Sequence, residues 1–161
     1  MKVVALSACA AVFLWGTACG STSSRSEPPS PPPASGHEHH APHGGTLVEL
    51  GSEFAHVELV LDSATGTLTA YFLDGEAEES LRLTQPSLKI ALENPAPGAP
   101  AAPAAIEHLD LLARADVLTG ETVGDTSEFS ATSQSLRGRT GVKGTIEDVT
   151  VKGQEFRAVA F

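Results

Sequence analysis

Cysteine occurs only at positions 9 and 19, and methionine only at position 1. Past residue 19 the chain therefore has no partners for an internal disulfide, and a domain there must rest on its own apolar core. The same lack removes soft thiolate and thioether ligands, which disfavours a dedicated Cu(I) carrier. Basic residues are scarce as well, 10 against 20 acidic, for a formal net charge of −10. Phosphate binding needs a basic face, so nucleic acid is not an expected partner. Aromatic residues make up only 5% of the chain, with one Trp and one Tyr. That leaves few platforms on which a carbohydrate or peptidoglycan module stacks its sugars. Catalytic signatures are missing too: there is no cysteine nucleophile, no Gly-x-Ser-x-Gly elbow, no glycine-rich phosphate loop and no His-Glu-x-x-His helix. The chain is expected not to be an enzyme.

The one long apolar run is at the start. Lys2 is followed by Val3 to Trp15, almost wholly apolar, then by the small residues Gly16, Thr17 and Ala18 and by Cys19. The run is too short and wrongly flanked for a stable membrane span and reads as a secretory signal over residues 1–18. Cys19 after small residues resembles the lipobox of bacterial lipoproteins, in which the signal is cut before a cysteine that is then acylated. Gly16 departs from the aliphatic residue usual there. Leu6-Ser7-Ala8-Cys9 fits the pattern better but leaves too short an apolar core, and ordinary cleavage near Ala18 is the alternative. Export is expected in every case. With lipidation at Cys19 the protein is anchored to the membrane of the bacterial envelope, on its periplasmic face or at the cell surface.

Residues 19–36 are rich in serine and proline and hold nothing able to build a core. The serine half predicts a flexible, disordered tether and the proline half a semi-rigid polyproline II spacer, reaching roughly 50 Å at about 3.1 Å per residue. From Thr46 the pattern becomes short apolar runs of period two. Strands are predicted at Thr46–Leu50, Ala55–Leu61, Thr67–Leu73 and Ser87–Glu93, with a closing hairpin of Lys143–Val151 and Glu155–Phe161. Ser127–Thr132 reads as a weak strand and Ser133–Arg137 as a single turn, while Ile106–Ala113 fits either a strand or a short helix. The Pro/Ala-rich stretch 94–105 reads as a loop inserted between strands, because long loops add little closure entropy. Residues 46–161, roughly 115 in all, suffice for one domain burying about two-thirds of its unfolded surface. The expected fold is all-β, a small antiparallel β-sandwich or partly open barrel of six to eight strands.

Against these absences stands a concentration of histidine. Five of the six histidines fall between residues 37 and 56. Imidazole is the commonest ligand for borderline transition metals. His37, His39 and His40 lie in the 37–45 segment, where a mobile backbone brings imidazoles together easily but at an entropic cost. His43 abuts the first strand through Gly44-Gly45, whose freedom at positive φ can turn the segment over the sheet. His56 and Glu58 share one face of the second strand, with Ala55, Val57, Leu59 and Leu61 on the other. A carboxylate and an imidazole two residues apart either share an ion or act as ligand and orienter. If the first two strands pair antiparallel, His43 approaches His56, and His43, His56 and Glu58 form an ordered N,N,O metal site. The competing reading is a partly exposed strand residue facing Glu58 by chance of alternation, below a tail that binds metal incidentally. Cu(II), Zn(II) and Ni(II) all fit these donors. His108 and Asp110 repeat the spacing but read as a surface pair.

The blocks His43-Gly44-Gly45, His56-x-Glu58 and Tyr71-x-x-Asp74 resemble a group of small exported bacterial β domains, many of them lipoproteins, with similar segments in proteins associated with heavy-metal efflux. The resemblance covers about residues 42–93. It implies a β fold and metal association, with a metal-efflux or other envelope protein as partner. The functional expectation is a membrane-anchored binder of a divalent transition metal, a buffer or an accessory to metal handling. The alternative is a structural or partner-docking lipoprotein.

Overall fold

The computed structural model describes residues 39–94 and 105–161. The leader, Cys19, the Ser/Pro-rich tether, His37 and residues 95–104 lie outside that range. Eight strands follow in order: β1 (Thr46–Leu50), β2 (Ala55–Asp62), β3 (Thr67–Leu73), β4 (Ser87–Asn94), β5 (Ala105–Ala113), β6 (Glu128–Thr132), β7 (Gly144–Val151) and β8 (Gln154–Ala160). They form one antiparallel sheet in the order β1-β2-β3-β6-β5-β4-β7-β8. The two edge strands, β1 and β8, come close to one another without forming a ladder. The result is a nearly closed barrel, as the all-β expectation allows, and the described residues contain no α-helix.

One ambiguous segment is settled by pairing. Ile106–Ala113 is a strand, since β5 lies between β4 and β6 and registers with β4 from Ser87↔Leu112 to Asn94↔Ala105. Backbone groups placed between two ladders gain partners on both sides, which outweighs weak local propensity. Because Asn94 faces Ala105, residues 95–104 join neighbouring strands of one sheet. Ser133 caps a short 3-10 turn at Gln134–Leu136 through its hydroxyl, where a single turn was expected.

The barrel interior is filled by one face of each strand. Val57 and Leu59 of β2, Leu68 and Phe72 of β3, Leu88, Ile90 and Leu92 of β4, Phe129 of β6 and Ile146 of β7 are buried. Phe72 and Phe129 meet edge to face at 5.5 Å between centroids, the favoured quadrupolar arrangement. In β7 the inward positions shift from Ile146 to Val149 and Val151, out of strict alternation. The register against β4 jumps at the same place, from Ile90↔Ile146 to Lys89↔Asp148. Glu147 is thus the extra residue of a β-bulge, which resets which side chains face the core.

One strand breaks the pattern of a barrel wall. In β2 the outward residues His56 and Glu58 are as buried as the inward ones, at 3% and 0% exposure. Something covers this strand from outside. The cover is the histidine-bearing segment.

Candidate metal centre

The covering layer begins in a tight turn. Gly44 N–H donates to Ala41 O at 3.1 Å, and Pro42, with φ preset by its ring, occupies the second turn position. Gly44 has φ of +74°, the left-handed region that a side chain disfavours. Gly45 packs flat on β2, so closely that a Cβ there would lie 2.4 Å from Leu59 O. These residues reverse the chain, so that residues 39–43 run back along the outer face of β2. His43 then lies over Glu58 and His39 over His56.

Glu58 is the anchor of this layer. Its carboxylate accepts hydrogen bonds from His43 N at 2.8 Å, Gly45 N at 2.7 Å and His43 Nδ1 at 2.8 Å. Successive main-chain N–H groups around a left-handed residue form a concave anion-binding nest, here filled by a side chain of the same molecule. The His43 ring also stacks on Tyr71, the partner of Glu58 on β3, at 3.9 Å and 12° between planes. Burial raises the Tyr71 phenol above its ordinary pKa, and the negative charges of Glu128 and Glu58 add to the effect. The bonds to Glu58 account for the burial of an acidic side chain, which without such partners would be costly.

His56 and His39 share the other half of the layer. Their ring centroids are 4.7 Å apart and tilted at 51°. His56 Nδ1 faces Asp74 O at 3.1 Å, and His39 Nδ1 faces Glu76 O at 3.1 Å. A carbonyl only accepts, so in each ring Nδ1 carries a hydrogen, which leaves Nε2 as the nitrogen that offers a lone pair when the ring is neutral. Both carbonyls belong to the turn after β3, so both Nδ1 atoms are directed to that turn and both Nε2 atoms away from it. Among the described residues His39 Nε2 is buried with no hydrogen-bond partner, and the acidic atom facing it is Glu53 Oε1 at 3.8 Å. Asp74 itself braces the turn by accepting from Glu78 N and Glu79 N. Its carboxyl is held below the usual range, first by the bond from Glu78 N.

The structure thus divides the expected set. His43 and Glu58 come together, whereas His56 is paired with His39 instead of His43. The reason is spacing: the turn at Pro42–Gly44 lays His43 on Glu58, and four residues earlier the chain has reached His56. Among the described residues no three His, Cys, Asp or Glu side chains gather into a preformed metal-holding group. His40 is exposed beside the layer and His37 lies outside the described residues. Sequence reasoning placed His39 in a mobile tail and did not single out Glu53. The Pro42-x-Gly44 turn signal was the available clue to the first. For the second, the backbone of Glu53 at φ +54° in the β1–β2 turn left no trace in residue type.

His108 behaves as expected of a surface residue. Its Nδ1 meets Glu147 Oε1 at 2.5 Å, not Asp110, because the β7 bulge brings Glu147 to that face. Lys89 and Asp110 line the same hollow. No protein-family model, curated protein or solved structure matches this chain.

Proposed function

We propose that this protein is a non-catalytic, extracytoplasmic binder of a divalent transition metal, Cu(II), Zn(II) or Ni(II), tethered to the envelope membrane through Cys19. Its role is buffering or assistance to metal handling by an envelope or efflux partner. One observation carries this reading: His39 and His43 of the histidine-rich segment are docked on the strand that bears His56, so three imidazoles are held in one ordered layer. Ordering beforehand lowers the conformational entropy lost on coordination, which distinguishes such a patch from an unstructured histidine tract. The surrounding Glu49, Glu53 and Glu76 add a negative field that favours cations.

The unit His37–Phe161 holds every described strand and the whole described core. An untagged chain beginning at Gly20 therefore keeps the folding unit without its leader. Calorimetric titration of that chain with each metal is expected to show one tight site. If no metal binds below about millimolar, where ΔG is near −4 kcal/mol, the reading falls. A partner-docking lipoprotein then takes its place, a reading favoured by Val117 and Leu118, which stand 94% and 93% exposed in the turn between Asp116 and Glu121.

A further inference from the structure

We infer that the ion is held by Nε2 of His39 and Nε2 of His56, with the Glu53 carboxylate as third donor, and that His43 and Glu58 are not ligands but the clasp that positions them. This inference rests on the metal-binding reading and specifies its site.

The geometry of the two rings fits a shared ion. With a metal–nitrogen distance of about 2.0 Å, two imidazoles on one ion at roughly right-angled to tetrahedral geometry have centroids about 4.5–5 Å apart. The observed separation is 4.7 Å. Each ring is already oriented as a metal-bound histidine is, with Nδ1–H on a main-chain carbonyl and the other nitrogen turned away from it. The buried, unpartnered Nε2 of His39 is the strongest sign. A buried polar atom without a partner is costly, and an arriving cation would satisfy it.

Glu53 completes the set without strain elsewhere. Its side chain is 53% exposed and its carboxylate makes no hydrogen bond among the described residues, so it can rotate the short distance from 3.8 Å to coordination. That rotation explains why no trio is preformed. Glu58 is unavailable by contrast, since coordination would strip it of the three N–H donors that hold the segment down. Two imidazoles and a carboxylate, with remaining positions open to water, suit Cu(II) best by the Irving–Williams order.

The test is Cu(II) loading of the untagged chain from Gly20, with pulsed electron paramagnetic resonance to count coordinated imidazoles and calorimetry for affinity. Wild type is expected to show two imidazoles at one site. His39→Ala and His56→Ala should each remove one imidazole and weaken binding about tenfold or more, since even outer-shell partners are worth that much. Glu53→Gln should weaken binding with both imidazoles kept. The double change His37→Ala with His40→Ala should also leave the tight site intact. His39 lies in the outer layer, so His39→Ala keeps the test informative even if His56→Ala perturbs folding. A tight site that survives His39→Ala with two imidazoles overturns this ligand set while leaving metal binding itself standing. Absence of any Cu(II) binding in wild type overturns both.

Discussion

Removing the Glu58 carboxylate should detach the covering layer and cost a large part of the protein's stability. In Glu58→Ala three N–H donors lose their acceptor: His43 N, Gly45 N and His43 Nδ1. An unsatisfied buried donor costs about 1–3 kcal/mol, so three together cost about 3 kcal/mol at the least. The His43 side chain is 43% exposed, so water relieves part of its loss and the lower end applies, about 3 kcal/mol. A single domain has about 5–15 kcal/mol in total. With a urea slope of roughly 1–3 kcal/mol per molar, the midpoint should fall by about 2 M. Tyr71 is the sole tyrosine, and the single tryptophan, Trp15, lies before Gly20. In a chain from Gly20, tyrosine emission therefore reports directly on whether His43 still stacks there. Glu58→Ala should alter that emission in the folded state, and the loss in Glu58→Ala with His43→Ala together should be less than the sum of the two single losses. If Glu58→Ala unfolds within about 0.5 kcal/mol of wild type with unchanged emission, the clasp contributes nothing and the reasoning is refuted.

Gly45→Ala should be destabilising by about 2 kcal/mol or more, because the added Cβ meets the rigid main chain at Leu59 O, 2.4 Å away. A thermal melt coincident with wild type would show that the segment does not pack as described. Stability should also fall in acid. Hydrogen bonds, led by the one from Glu78 N at Asp74 and by the Ser135 hydroxyl at Glu107, hold both carboxyls below their ordinary range. At Glu121 burial pushes upward, but bonds from Ser127 and Thr119 and the charge of Arg82 reverse it. A carboxyl with a depressed folded pKa binds its proton less readily when folded. Its stabilisation is complete above the unfolded values near pH 4–4.5 and is lost as pH falls through the folded ones. Urea midpoints should therefore be lower at pH 3 than at pH 7, and equal midpoints would contradict these networks.

The strands were legible because their signal is local. Alternation in Ala55–Leu61 and Thr67–Leu73, bounded by turn residues, reports which face meets a core regardless of what else the chain does. Ile106–Ala113 was not legible, since its exposed, polar-interrupted pattern acquires meaning only between β4 and β6. The bulge at Glu147 was hidden for a similar reason. It is a mismatch between two strands, and neither strand alone records it.

The candidate site divides along the same line. From the sequence alone came the histidine cluster, the His56–Glu58 face, the glycines able to turn the chain, and the exclusion of soft donors that the absence of sulfur imposes. Composition and spacing suffice for these, because they concern residue type and the fixed periods of strand and turn. Only the tertiary structure decided the pairing, with His43 on Glu58, His39 on His56, and Glu53 brought alongside from the β1–β2 turn. Pairing depends on where a folded-back segment stops along a strand. That is set by a close backbone approach at Gly45 and by a carboxylate satisfied from across the chain, contacts that exist only once the barrel is closed.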